Sequence, residues 1–103
     1  MDRDDLEHSW RVTRQHLEAA RGDLPLQLPL LDEGWSIRRY EEWLSHNELE
    51  LALDELEGIG HWIGCGAGFW TKLLAAAESM TLTDHAARCR RKLAELRAKS
   101  QPD

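Results

Sequence analysis

Leu6, Trp10, Thr13, Leu17 and Ala20 are spaced four, three, four and three residues apart, which places them on one face of a helix. The spacing predicts that helix from about Asp4 to Arg21. Asp2, Asp4 and Asp5 stand at its start, where the helix dipole favours acids, and Gly22 and Pro25 end it. From Gly22 to Gly34 the pattern changes. Leu24, Leu26, Leu28 and Leu30 alternate with Pro25, Gln27 and Pro29. Alternation is a strand signal, but each proline removes a ladder donor. The segment reads as an extended loop laying leucines over one end of the core, with a lone edge strand as the second choice.

A second helix is predicted from Ser36 or Ile37 to Ser45, with Ile37, Tyr40 and Leu44 on its inner face. Ser45 and Glu48 match the S-x-x-E capping box, so a break is expected near His46-Asn47. A third helix then runs to about Glu57 on the stripe Leu49, Ala52, Leu53 and Leu56, and Gly58 stops it. Gly58 to Gly68 holds five glycines in eleven residues and reads as a loop, packed down by Ile59, Trp62, Ile63 and Cys65. A fourth helix is expected from about Ala67 to Met80, carrying Phe69, Trp70, Leu73, Leu74 and Ala77. Thr83 opens a fifth, which ends basic, and Ser100 to Asp103 is expected to fray. Five helical segments without a convincing strand pair predict an all-α fold. The expected architecture is one small bundle of four to five antiparallel helices over residues 1–99.

Composition narrows the class of protein. The chain has 103 residues, 42% hydrophobic and 31% charged, enough for one small core. Its net charge of −6 does not supply a phosphate-binding surface, so nucleic acid is not expected as a partner. No run approaches the roughly 20 apolar residues of a membrane span. Two cysteines are too few for a disulfide scaffold, and the acidic start Met1–Asp5 lacks signal-peptide chemistry. A cytoplasmic protein is the expectation.

Three motifs bear on chemistry. Ile63-Gly64-Cys65-Gly66-Ala67-Gly68 opens a helix in the manner of a nucleotide-cofactor loop. It lacks the preceding strand, the alternating sheet and the strand-end acid, so it reads as an interhelical turn and no cofactor is expected. His61-x-x-x-Cys65 and His85-x-x-x-Cys89 share one spacing, and together would make a tetrahedral zinc set. Arg90, Arg91 and Lys92 beside the second pair would repel a cation, and two separate free thiols are the plainer reading. Cys65 with His61 or His85 could form a thiolate pair, and the acid pairs Glu41-Glu42 and Asp54-Glu55 could exchange protons. No nucleophile elbow or orienting motif accompanies them, so no catalytic residues are assigned and the chain is expected not to be an enzyme.

Charge distribution says more. Residues 1–57 hold 15 acids and 6 bases, whereas residues 58–103 hold 4 acids and 7 bases. Glu41, Glu42, Glu48, Glu50, Asp54, Glu55 and Glu57 follow one another with no lysine or arginine between. The basic last helix packs beside these acids in one reading and a basic partner does so in trans in the other, and both can hold. Leu51 points away from the core stripe and sits among Glu48, Asp54 and Glu55, a small apolar anchor in a polar rim. Of the five tryptophans, Trp10, Trp35 and Trp70 are expected in the core, while Trp43 and Trp62 are more open. The expected partner surface is therefore Trp43, Glu48, Glu50, Leu51, Asp54 and Glu55.

The stretch Tyr40-Glu41-Glu42-Trp43-Leu44-Ser45-His46-Asn47-Glu48-Leu49-Glu50-Leu51-Ala52-Leu53-Asp54-Glu55-Leu56 resembles the core of small helical immunity proteins of bacterial polymorphic toxin systems, of the MafI type. The resemblance extends over about residues 40–82, and the glycine-rich turn and the leucine–proline linker depart from the pattern. It implies a non-enzymatic protein that binds and neutralises a cognate toxin, for which an acidic patch would suit a basic nuclease. The rival reading is a structural or regulatory helical module, including a homo-oligomer that self-associates through Leu51 and Trp43, and the chain is expected as a monomer or a homodimer. An enzyme using the 58–68 segment is the third.

Overall fold

A computed structural model describes residues 3–25 and 35–100, with side chains from residue 7 to residue 99. The leucine–proline segment from Leu26 to Gly34 and the tail after Ser100 lie outside the described residues, as does the side chain of Leu6. The described chain is all helix: α1 (Arg3–Gly22), α2 (Ile37–Ser45), α3 (Leu49–Ile63), α4 (Ala67–Ser79) and α5 (Thr83–Ser100). No described helix is long and apolar enough to cross a membrane.

Helix α4 is central and packs against α1, α5 and α3, while α2 lies on α3 and α1 also touches α3. The core is Leu17 and Ala20 of α1, Tyr40 and Leu44 of α2, Leu49, Ala52, Leu53, Leu56 and Ile59 of α3, Phe69, Trp70, Leu73, Ala76 and Ala77 of α4, and Ala86 and Cys89 of α5. The α3 stripe is the one expected; of the residues expected on α2 and α4, Ile37 and Leu74 are only partly buried and pack against the core from its edge. Leu24, the first leucine of the alternating segment, is buried as well. Polar ties fix the helices in register. The Tyr40 hydroxyl donates to Glu18 (2.9 Å), the Arg14 guanidinium donates to the Leu44 carbonyl (2.7 Å), and the Thr13 and Ser79 hydroxyls share a hydrogen bond of 2.6 Å.

Three expectations are corrected. First, α3 does not stop at Gly58 but continues to Ile63. Gly58 and Gly60 sit inside the helix because neighbouring rings occupy the space of their missing side chains, Trp35 over Gly58 and Phe69 over Gly60. The glycine-rich loop thus shrinks to a turn at Gly64–Gly66. Second, the Ser45–Glu48 capping box does not form. The Ser45 hydroxyl donates back to the Glu42 carbonyl, and Glu48 precedes α3 without a side-chain cap bond. The break arises from the end of α2 instead. There Asn47 adopts φ 58°, Glu48 N–H reaches the Trp43 carbonyl and Asn47 N–H the Leu44 carbonyl, a Schellman pattern. Gly64 (φ 81°) ends α3 and Thr81 (φ 58°) ends α4 in the same left-handed conformation. Third, Trp10 is not a core residue, being 39% exposed.

Candidate functional site

Helix α3 has two working faces. At 100° per residue, Leu51, Glu55, Gly58 and Trp62 form a second stripe opposite the core stripe. Trp35, just before α2, and Trp43, on α2, come down on this stripe, and Trp35 reaches it because Gly58 is bare. Helix α5 stands on the other side. Between them lies a groove of about 760 Å³, whose lining includes Trp35, Trp43, Trp62, Trp70 and Leu51 together with Arg39, Arg88, Arg91 and Lys92. Four of the five tryptophans thus line one groove. Trp70 forms its floor, packed edge to face on Phe69 with centroids 5.3 Å apart. Its indole N–H is held by the Cys65 carbonyl at 3.1 Å.

Charged pairs close two sides. On the α2 side, the Glu55 carboxylate is 2% exposed yet meets three donors. The Ser36 backbone N–H donates at 3.2 Å, the Trp43 indole at 3.4 Å and the Arg39 guanidinium at 3.0 Å. A buried carboxylate requires this number of partners. On the α5 side, His85 Nε2 lies 2.6 Å from Asp54, and Arg88 reaches Glu57 through two nitrogens at 2.8 and 3.2 Å. The Glu57 carboxylate holds the Arg88 guanidinium above its ordinary pKa. Both pairs join residues 31 apart in sequence, so α3 and α5 run in the same direction with fixed register.

The expected partner surface is therefore split. Leu51 is 39% exposed, and Glu48 and Glu50 are exposed with no ion-pair partner among the described residues. Asp54 and Glu55 belong to internal pairs, and Trp43 is half-buried with its N–H committed to Glu55. The basic last helix balances part of the acidic one, and it does so at Asp54 and Glu57.

The zinc set His61, Cys65, His85 and Cys89 is not assembled. The described residues offer one group of three metal-ligating side chains with donor atoms within 4.8 Å of one another, Asp54, Glu57 and His85. In that group the Asp54–His85 bond and the Arg88 guanidinium already meet the carboxylates, so it serves as an interhelical ion-pair network. Neither thiol is activated. Burial pushes the Cys89 pKa up to about 11, with the Glu57 charge adding to it, and burial also raises Cys65. Both remain protonated at neutral pH, the opposite of a nucleophilic cysteine. The Gly64–Gly66 turn joins α3 to α4, and no strand stands before it among the described residues.

Sequence reasoning missed the basic wall, Arg88, Arg91 and Lys92, as part of a site, and missed the groove itself. The seven- and four-residue steps from Leu51 to Gly58 to Trp62 were the available signal. Comparison with protein-family models, curated proteins and solved structures finds no match for this chain.

Proposed function

We propose that this chain is a non-enzymatic protein-binding module of the immunity type. It acts in the cytoplasm by binding and blocking a basic toxin, such as a nuclease, at the N-terminal end of α3. The observation that carries the reading is Leu51, which stands open on the second face of α3 beside Glu48 and Glu50, neither of which has an ion-pair partner among the described residues. An apolar anchor inside a charged rim is the usual make-up of a docking centre. Unpaired acids around it would speed encounter with a basic protein. The resemblance of residues 40–82 to immunity proteins points the same way.

The test is a photo-crosslinking residue at position 51 in the native host, with the captured protein identified by mass spectrometry. That protein's toxic activity is then titrated with the purified chain. A basic protein silenced near one equivalent supports the reading. Crosslinking only to a second copy of this chain transfers it to the self-association reading.

A further inference from the structure

The groove between α3 and α5 is balanced in charge yet ordered. Its lining carries four acids and four bases, so it favours neither an anion nor a cation. Glu55 is buried against Arg39, and Glu95 lies 4.0 Å from Lys92. The remaining charges stand on opposite walls. Asp54 and Glu57, with Glu50 one turn before them, follow one stripe of α3. Arg88, Arg91 and Lys92 follow the facing stripe of α5. The internal pairs do not close these walls, because the Asp54 side chain is 41% exposed and that of Arg88 47%. Glu50 and Arg91 are exposed and have no ion-pair partner among the described residues. Leu51 and Trp62, two of the three large apolar side chains exposed among the described residues, line the same groove. They share a stripe of α3, roughly 16 Å apart along the helix.

We propose that this face pairs with a second copy of the chain, about a two-fold axis perpendicular to the open side of the groove. Helices α3 and α5 run in the same direction, as the common offset of their ion pairs shows. The rotation therefore reverses both and lays the acidic α3 wall of each copy on the basic α5 wall of the other. Glu50 comes to the Arg91 end of the opposing α5, and Leu51 and Trp62 are covered together. A patch with its two signs on opposite sides matches its own rotated copy, whereas a uniformly charged partner would meet one wall with repulsion. A face only roughly 16 Å long on α3 belongs with interfaces below about 800 Å² per partner, so the pair dissociates on dilution. The inference goes beyond the docking reading. One consequence rests on it: Leu51 serves both surfaces, so a basic protein at the N-terminal end of α3 displaces the second copy.

The test is sedimentation equilibrium of the full chain from about 1 to about 500 µM, at low and at high salt. The mass should rise from monomer toward dimer, half-way at about 10–100 µM, and fall back in high salt. Glu50→Lys and Arg91→Glu should each weaken pairing at least about tenfold, with circular dichroism unchanged. Mixed one to one, the two variants should pair again, since each introduced lysine then meets an introduced glutamate and each remaining Glu50 an Arg91. Trp62→Ala should weaken pairing at least about tenfold as well. The proposal is overturned if the chain stays monomeric throughout, if the mixture pairs no better than either variant alone, or if Trp62→Ala pairs normally. A monomeric chain that still captures a basic protein through position 51 overturns the pairing alone. A paired chain that captures none upholds the pairing and removes only the docking reading.

Discussion

The ring of Phe69 occupies the space that a side chain at Gly60 would need, so α3 crosses α4 with its backbone bare at that point. Alanine at position 60 meets two opposed effects. Helix propensity favours it by about 1 kcal/mol, whereas forcing a group into a packed core costs roughly 1–3 kcal/mol. Phe69 is 2% exposed and locked against Trp70, so it has nowhere to go and the second effect wins. Gly60→Ala should lower the urea midpoint by an amount equivalent to about 1–2 kcal/mol, with an unchanged slope. Unchanged or raised stability would mean that the contact is not rigid.

Thr81 offers the reverse case. It ends α4 with φ 58°, a conformation that a β-branched residue rarely takes, and its side chain is exposed. Its N–H bonds to the Glu78 carbonyl, and the next residue's N–H to Ala77, so the turn itself is sound. Glycine accepts this φ without steric cost. Thr81→Gly should therefore stabilise the protein by about 0.5–1 kcal/mol, after allowing for the extra freedom of glycine in the unfolded chain. Thermal unfolding checks it, and a lower midpoint would show that threonine is not strained there.

Glu55 is the one acid of the α3 series that is fully buried. Glutamine in its place keeps the shape but loses the charge that faces Arg39, and its NH2 group confronts N–H donors from Ser36 or Trp43. Glu55→Gln should cost about 2–3 kcal/mol, the usual range for disrupting a satisfied buried charge. The fluorescence of Trp43 should change with it. A variant as stable as the parent, with unchanged emission, would mean that the three hydrogen bonds are not formed together.

The helices were legible in the chain and their functional partnerships were not, for a physical reason. Core stripes such as Leu49, Ala52, Leu53 and Leu56 are periodic in one segment, and burial follows period. The break at Asn47 was placed correctly but for a different cause, a left-handed helix end rather than a capping box. Gly58 and Gly60 misled because glycine carries two meanings. It ends helices where φ turns positive, as at Gly64, and it also admits a ring from elsewhere, as Trp35 and Phe69 show. Which meaning applies depends on a residue distant in sequence. The roles of Asp54 and Glu55 were hidden in the same way. Local charge pattern marks both as solvated acids, and only the approach of α5 and of the start of α2 turns them inward.

This division of the acids sharpens the docking hypothesis, because it separates residues that hold the fold from residues that remain free. Glu57 is paired with Arg88, so Glu57→Lys should lower stability, though by no more than about 1 kcal/mol for a pair this exposed. Its effect on partner association should be small. Glu48 and Glu50 have no such partner among the described residues, and reversing both to lysine should leave the thermal midpoint close to the parent value. Association with a basic partner should instead slow and lose part of its salt dependence, since the steering field is removed. Leu51 acts at a later stage of binding. Truncating it removes apolar area that is buried only in the complex, so Leu51→Ala should raise the dissociation rate by about tenfold with little change in association. Surface plasmon resonance with the crosslinked partner, run at two salt concentrations, separates these effects. If Leu51→Ala and the double reversal both leave the rates untouched while Glu57→Lys abolishes binding, the partner sits on the α5 side and the N-terminal end of α3 is not the interface.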